Sequence, residues 1–271
     1  MKQPTINPDG VSIKGCDIIY APKGQAGEYA KLATNPYSNC GHQCLYCYVP
    51  AVLKKSREEF DGEAVLRKDY LSKLEKDARK YQAAGIKEQV LLCFTTDPYH
   101  PGYTTPTRST LNILREHGLS FCTLTKGGTR ALRDIDLFRS EHDAFAATLT
   151  TLDDEVSRLW EPKAALPGDR IEALKAFHQR GIYTWVSLEP VIDTETTLEI
   201  IRQTHGFVNL YKVGRLNYHR LTKLTNWQKF AEQVIELLTA LGSDYYIKKD
   251  LQPLLPSGCK NEIYRPQYRV V

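Results

Sequence analysis

Beyond residue 60 the chain alternates between short, nearly continuous apolar runs and longer stretches whose apolar residues recur every three to four positions. The runs at 88–95, 120–126, 144–150, 182–189, 207–213 and 244–248 are rich in β-branched or aromatic side chains, as strands covered on both faces should be. Between them the spacing predicts amphipathic helices. Leu66, Tyr70, Leu74, Ala78 and Tyr81 form one stripe that ends near Gly85. Trp227, Phe230, Ala231, Val234 and Leu238 form another, entered through Thr225 or Asn226 and left at Gly242. A third helix, 169–179, follows Pro167-Gly168 and stops at Gly181.

Alternation of strand and helix predicts right-handed βαβ units on a parallel sheet. A further strand at 28–34, ahead of the first cysteine cluster, brings the count to about seven units. No linker, low-complexity tract or charge block divides the chain. The expected fold class is therefore α/β: a single, partial (β/α)6–7 barrel with parallel strands over 28–250, its cysteine loop following the first strand. An N-terminal extension (1–27) and a C-terminal tail (251–271) flank it. A doubly wound open sheet is the alternative, because periodicity does not reveal strand order.

Composition adds limits rather than direction. Hydrophobic residues make up 42% and charged residues 25%, ordinary values for a chain with a sizeable core. A net charge of +4 is too small to announce a nucleic-acid binder, so the placement of the charge must decide. No run approaches the roughly eighteen apolar residues of a membrane span, and residues 1–10, with Pro4 and Pro8, lack the apolar core of a signal peptide. Three of the seven cysteines crowd into residues 40–47. That pattern argues against a secreted disulfide framework, for a reducing cytoplasm, and for metal.

Cys40, Cys44 and Cys47 are spaced so that one loop can wrap a cubane, each thiolate binding a different iron. The fourth iron then lacks a protein ligand, and an open coordination site is where a substrate or cofactor enters. Zinc would have to recruit His42, which sits too close to Cys40 for comfortable tetrahedral chelation beside the other two. A cluster that only transfers electrons would normally take a fourth cysteine. Cys16, Cys93, Cys122 and Cys259 are isolated and read as small core hydrophobes.

The Cys-x3-Cys-x2-Cys loop, with aromatic Tyr46 before its last cysteine, is similar to the signature of the radical S-adenosylmethionine (SAM) superfamily. Flanking motifs resemble the spore photoproduct lyase-like family within it: Ile19-Tyr20-Ala-Pro22-Lys-Gly24, Glu28-Tyr29-Ala30, Asn35-Pro-Tyr37 and Cys47-Tyr48-Val-Pro50. So do Thr96-Asp97-Pro98-Tyr99, Thr107-Arg108, Thr125-Lys126, Arg133-Asp134-Ile135-Asp136, and Glu161-Pro162 followed by Arg170. The likeness runs in family order from about residue 18 to 192, and Glu189-Pro190, Lys212-Val-Gly214-Arg215 and Lys248 match less distinctively. It implies an enzyme of lyase or transferase type. SAM chelates the open iron, an external donor such as flavodoxin or ferredoxin supplies an electron, and a 5′-deoxyadenosyl radical abstracts a substrate hydrogen. In photoproduct lyases a cysteine near the end of the second strand returns that hydrogen. The matching position here is Phe94, and Cys93 points to the other face of a regular strand, so a different reaction is expected.

Barrel active sites gather at the C-terminal ends of strands. Thr96 and Asp97 fall there with acceptors for the SAM ammonium, and Lys126 with a cation for its carboxylate. The resemblance adds Thr148 for the ribose or carboxylate and Tyr46 for the adenine. The structural alternatives are a turn-capping Asp97, a solvated loop lysine and a strand-filling threonine. Lys126, Arg130, Lys212, Arg215, His219, Arg220, Lys248 and Lys249 lie at or just beyond strand ends, a ring suited to phosphate groups, with Glu189 and Asn217 near enough to read a base or sugar. Glu189, Lys212, Arg215, Asn217 and Lys248 are the expected catalytic-site residues. The expected substrate contains a nucleotide or nucleic acid. A small metabolite, a protein side chain, or an iron–sulfur redox protein without SAM chemistry are the alternatives.

Overall fold

The computed structural model describes residues 4–102, 104–217 and 219–255. Seven parallel strands form one sheet: β1 (Leu32–Thr34), β4 (Val90–Leu92), β5 (Phe121–Thr125), β6 (Ala144–Thr148), β7 (Tyr183–Val191), β8 (Leu210–Arg215) and β9 (Asp244–Ile247). A two-stranded antiparallel ribbon, β2 (Tyr37–Ser38) with β3 (Val65–Leu66), brackets the cysteine loop. The helices are α1 (Val49–Leu53), α2 (Arg57–Phe60), α3 (Tyr70–Ala84), α4 (Thr105–Glu116), α5 (Asp154–Trp160), α6 (Pro167–Gln179), α7 (Thr194–Thr204) and α8 (Trp227–Ala240).

Strand order in the large sheet follows chain order without reversal. A doubly wound sheet needs a reversal, because its chain returns to the middle and builds outward the other way. The sheet is therefore wound in one direction as an open, partial barrel, with helices on its convex face. Alternation along each strand separates two cores. Outward-facing Leu32, Val90, Leu92, Phe121, Phe145, Val186, Leu188, Tyr211 and Val213 pack under the helices. Phe145 stacks on Phe177 of α6 with ring centroids 3.9 Å apart; burying each such ring contributes about 1.5–3 kcal/mol. Inward-facing Ala33, Leu91, Cys122, Ala144, Ala146, Trp185 and Leu210 fill the barrel floor.

Local sequence explains most element ends. Asn226 caps α8 by accepting from Lys229 N at 3.0 Å, and Gly85 ends α3 at a φ of 67°. Pro167 opens α6, two residues ahead of the expected start. The apolar stripe extended through Leu66 proves one turn too long. Asp69 takes a φ of 56°, the helix starts at Tyr70, and Leu66 is an exposed ribbon residue. Cys93 and Cys122 are buried and Cys16 is partly buried, as small core side chains; Cys259 lies outside the described residues.

The barrel opening between β1 and β9 is spanned by the segment before β1. Tyr20 pairs backbone to backbone with Ala33. Glu28 accepts from the Tyr246 hydroxyl and from Lys249 N, both at 2.8 Å.

Candidate active site at the mouth of the barrel

The chain leaves β1 and the β2 ribbon strand directly into the cysteine loop. Asn39 and Gln43 adopt left-handed backbone (φ 64° and 58°), letting the loop coil tightly. It is pinned from several sides. Cys40 N donates to Phe60 O and Leu45 N to Trp160 O, both at 2.9 Å, while Arg57 Nη2 donates to Cys44 O at 2.9 Å. The three thiols are free, and burial pushes each of them up, Cys44 to about 12. Thiolates there require positive charge brought into the site, which is what iron supplies. Among the described residues no three His, Cys, Asp or Glu side chains converge on a single ion. His42 is also turned elsewhere, Nδ1 lying 3.4 Å from Asp97 Oδ2 and Nε2 3.1 Å from Arg130 Nη2.

Beside the loop stand the ends of β4, β5 and β6. Asp97 Oδ1 accepts from Tyr99 N at 2.8 Å and from the Thr125 hydroxyl at 2.5 Å; Oδ2 accepts from Lys126 N at 2.7 Å and faces His42. Three of this chain's own donors thus bond it, and the His42 ring stands opposite Oδ2. Burial works against its charge, but His42, Thr125 and Lys126 N outweigh it and hold the carboxyl well below the usual range. Thr96 Oγ1, one residue earlier, is buried without an oxygen or nitrogen partner among the described residues. The Lys126 ammonium sits 5.6 Å from the centre of the Tyr46 ring. The Tyr46 hydroxyl donates to Glu161, and Arg170 joins Glu161 to the Thr148 carbonyl.

The opposite wall is polar and continuous. Thr148, Ser187, Lys212 and Tyr246 stand in one register row across β6 to β9. A turn higher, Lys248 pairs with Glu189 across Gly214, where a Cβ would come within 2.8 Å of Lys248 Cδ and 2.9 Å of Glu189 Cδ. Tyr29 closes the wall from the N-terminal side. Its hydroxyl donates to Glu189 and lies 2.9 Å from Ser187 Oγ, its carbonyl accepts from Lys212 Nζ at 2.7 Å, and its ring faces Lys248 Nζ at 4.5 Å. Burial and the Glu189 charge push the Tyr29 phenol well above its ordinary value, so it stays a donor. Arg215 Nε donates to Asn217 Oδ1 at 3.2 Å, and Asn217 donates in turn to Asp250.

A model of the radical SAM superfamily matches residues 34–208, most of the chain. The chain belongs to the radical SAM superfamily. Radical SAM proteins work with a [4Fe–4S] cluster and SAM, and this chain's donor set fits both: three thiols outside any disulfide for iron, Cys44 buried and Cys40 and Cys47 half-buried, and next to them the Thr96 hydroxyl, buried without an oxygen or nitrogen partner among the described residues, and the Lys126 cation. It shares 29% identity over 192 residues with an uncharacterized protein of Methanocaldococcus jannaschii, covering 69% of this chain and 71% of that one. It shares 24% over 201 residues with an uncharacterized protein of Acidianus two-tailed virus, covering 70% and 66%. Two solved radical SAM folds superpose well. Streptococcus suis SuiB bound to S-adenosylmethionine gives a TM-score of 0.61 at 13% identity, over 80% of this chain and 49% of SuiB. A spore photoproduct lyase variant with bound AdoMet and dinucleoside spore photoproduct gives 0.60 at 13%, over 83% and 69%. The chain thus spans about half the length of SuiB.

In this radical SAM fold the two sets of expected residues face each other. Tyr46, Thr96, Asp97 and Lys126 stand beside the cysteine loop; Thr148 begins the polar row of the other wall, which Glu189, Lys212 and Lys248 continue, with Arg215 and Asn217 at its rim. The basic ring is not uniform. Lys212 and Lys248 are only 9% and 2% exposed, and Arg130 is spent on His42 and the Tyr99 carbonyl, whereas Arg220 and Lys249 face solvent. His219 packs edge-on against Trp160, 5.1 Å away. Phe94 turns inward against Tyr29 at 5.9 Å, and Cys93 packs in the outer core. Three residues of the site were not anticipated as such: Tyr29, Glu161 and Arg170. Tyr29 lies 160 residues from Glu189 and Glu161 lies 115 from Tyr46, Arg170 is nearer its partner Glu161, and the only sequence signal for all three was membership of the family-like motifs. No described helix is long and apolar enough to cross a membrane.

Proposed function

We propose that this radical SAM enzyme abstracts hydrogen from a phosphate-bearing, nucleotide-containing substrate seated between the cysteine loop and the β7–β9 wall. The observation that carries the reading is the polar row Thr148–Ser187–Lys212–Tyr246 at the strand ends, capped by Glu189 and Lys248. When bound, the cluster and SAM supply a 5′-deoxyadenosyl radical once an external carrier of the flavodoxin or ferredoxin kind delivers an electron. The chain's residues bind and orient. Cys40, Cys44 and Cys47 hold three irons, and Lys126 meets the SAM carboxylate. The Thr96 hydroxyl accepts from the ammonium, with Asp97 bracing the end of β5 and the cluster loop behind it. Tyr46 lies along the adenine and Thr148 faces the ribose side. Glu189, Tyr29 and Asn217 offer hydrogen bonds to a base or sugar, and Arg215 with Lys249 attracts phosphate at the rim. Phe94 in place of a thiol speaks for a reaction other than photoproduct reversal. Free thiols without a disulfide among the described residues suit a reducing cytoplasm.

Release of 5′-deoxyadenosine from SAM and dithionite by anaerobically reconstituted protein tests the chemistry, and acceleration by an added substrate class tests the rest. Lys126→Ala is expected to keep its iron but weaken SAM binding about ten- to a hundredfold, the loss of one charge-assisted bond. Unchanged affinity would remove Lys126 from the site. Arg215→Glu and Lys249→Glu are the informative charge reversals, since Lys248 is buried against Glu189. Both are expected to weaken binding of oligonucleotides and nucleotides, and to flatten its salt dependence, while sparing uncharged nucleosides. Binding that ignores salt and both reversals would point instead to a neutral metabolite.

A further inference from the structure

One buried charge pair beside the site has no assigned task. Glu161 and Arg170 are each 1% exposed, and Arg170 Nη2 lies 2.5 Å from Glu161 Oε2. Glu161 follows α5 and Arg170 sits in α6, so neither belongs to a strand end. Their remaining hydrogen bonds all lead to the proposed SAM contacts. Glu161 Oε1 accepts the Tyr46 hydroxyl. Arg170 Nη1 donates to Thr148 O at 3.1 Å, and Nε donates at 2.7 Å to Ala165 O, whose own N–H reaches Lys126 O at 2.9 Å. The cluster loop and the ends of β5 and β6 therefore meet on a single ion pair.

A pair of apolar residues of similar volume would hold that packing without the cost of desolvating two ions. What an ion pair adds here is charge control. The Lys126 ammonium stands 5.6 Å from the centre of the Tyr46 ring whose hydroxyl Glu161 holds, and Cys44 and then the Glu161 carboxylate oppose the effect of burial on its charge. Left without Arg170, that carboxylate would find its next cation in Lys126.

We propose that Glu161 and Arg170 are positioning residues for SAM: the pair sets the Tyr46 ring against the ends of β5 and β6, and Arg170 keeps Glu161 from taking Lys126 away from the SAM carboxylate. The inference rests on the assignment of Lys126 and Tyr46 to SAM.

The test compares Arg170→Gln, Glu161→Gln, the double variant and Tyr46→Phe with wild type in the reconstituted protein. It measures iron content, melting temperature, SAM dissociation constant, and the shift of the reduced-cluster EPR signal on adding SAM. Arg170→Gln is expected to raise the dissociation constant about ten- to a hundredfold, because Lys126 is captured. Glu161→Gln and the double variant leave Lys126 free and lose only the grip on Tyr46, costing about threefold, so the second substitution rescues the first. Tyr46→Phe removes one hydroxyl, matches Glu161→Gln in affinity, and keeps the wild-type melting temperature. Should Arg170→Gln not fold, the double variant and Tyr46→Phe still decide. Affinities that follow melting temperature, with no rescue in the double variant, would reduce the pair to a structural role and overturn the proposal. So would wild-type affinity in the double variant and Tyr46→Phe. A wild-type protein that keeps its cluster yet binds no SAM would instead bring down the underlying assignment, and this inference with it.

Discussion

Anaerobically purified Cys40→Ala, Cys44→Ala and Cys47→Ala proteins are expected to be colourless. The wild type is expected to be brown, with about four irons and four sulfides per chain. Each thiolate serves a different iron, so no neighbour can substitute for a missing one. The only other candidate ligand in the loop, His42, has its ring nitrogens directed at Asp97 and Arg130. Cys16→Ala and Cys259→Ala should keep the colour. Cys16 is partly buried against the hydrophobic core and lies outside the cysteine loop. A wild type carrying stoichiometric zinc and no visible absorbance would refute the cluster assignment.

The second large effect concerns stability. Asp97→Ala strips acceptors from Tyr99 N, the Thr125 hydroxyl and Lys126 N in a buried site, and frees His42. Donors stranded in this way cost about 3–5 kcal/mol together, or about 10 °C of melting temperature in a chain of this size. Because His42 sits between Cys40 and Cys44, cluster retention should fall along with it. Acid adds a sign test. The folded carboxyl titrates below its unfolded counterpart, so its stabilisation is complete above pH about 4 and fades as pH drops below that value. Asp97→Asn should lose that acid-dependent component. A melting curve for Asp97→Ala that matches wild type would show the carboxylate to be idle.

The strands, their parallel sense and the cysteine loop were legible because each is written locally. Short β-branched runs covered on both faces, and three thiols within one loop, need no partner from elsewhere to be recognised. Strand order was not legible, since two windings share one periodicity, and only the pairing in the structure decides between them. The expected contacts at Lys126 and Thr148 followed from strand ends. The pair that ties them together did not, because Glu161 lies 115 residues from Tyr46 and neither is remarkable alone. Asp97 shows the converse. Its position at a strand end is what the sequence suggested, while its partners in the structure, Tyr99 N in its own turn and Thr125 and Lys126 N at the end of β5, include two that no local pattern announces.

The strap that Glu28 and Tyr29 form across the barrel opening also orders events in time. Glu28 meets Tyr246 and Lys249 across 218 and 221 residues, and Tyr29 meets Glu189 across 160. Contacts of such separation must overcome loop-closure entropy before they return any stability, and they slow folding more than they raise the final free energy. The two Glu28 contacts cannot form until β9 has been laid against β8, since Tyr246 lies in β9 and Lys249 just beyond it. The β5 and β6 ends pair as successive strands, whereas the cysteine loop reaches that side through Tyr46 and Glu161, 115 residues apart. The strap over the β9 edge therefore closes only with the last strand of the sheet, whereas the Tyr29 contact needs no strand beyond β7.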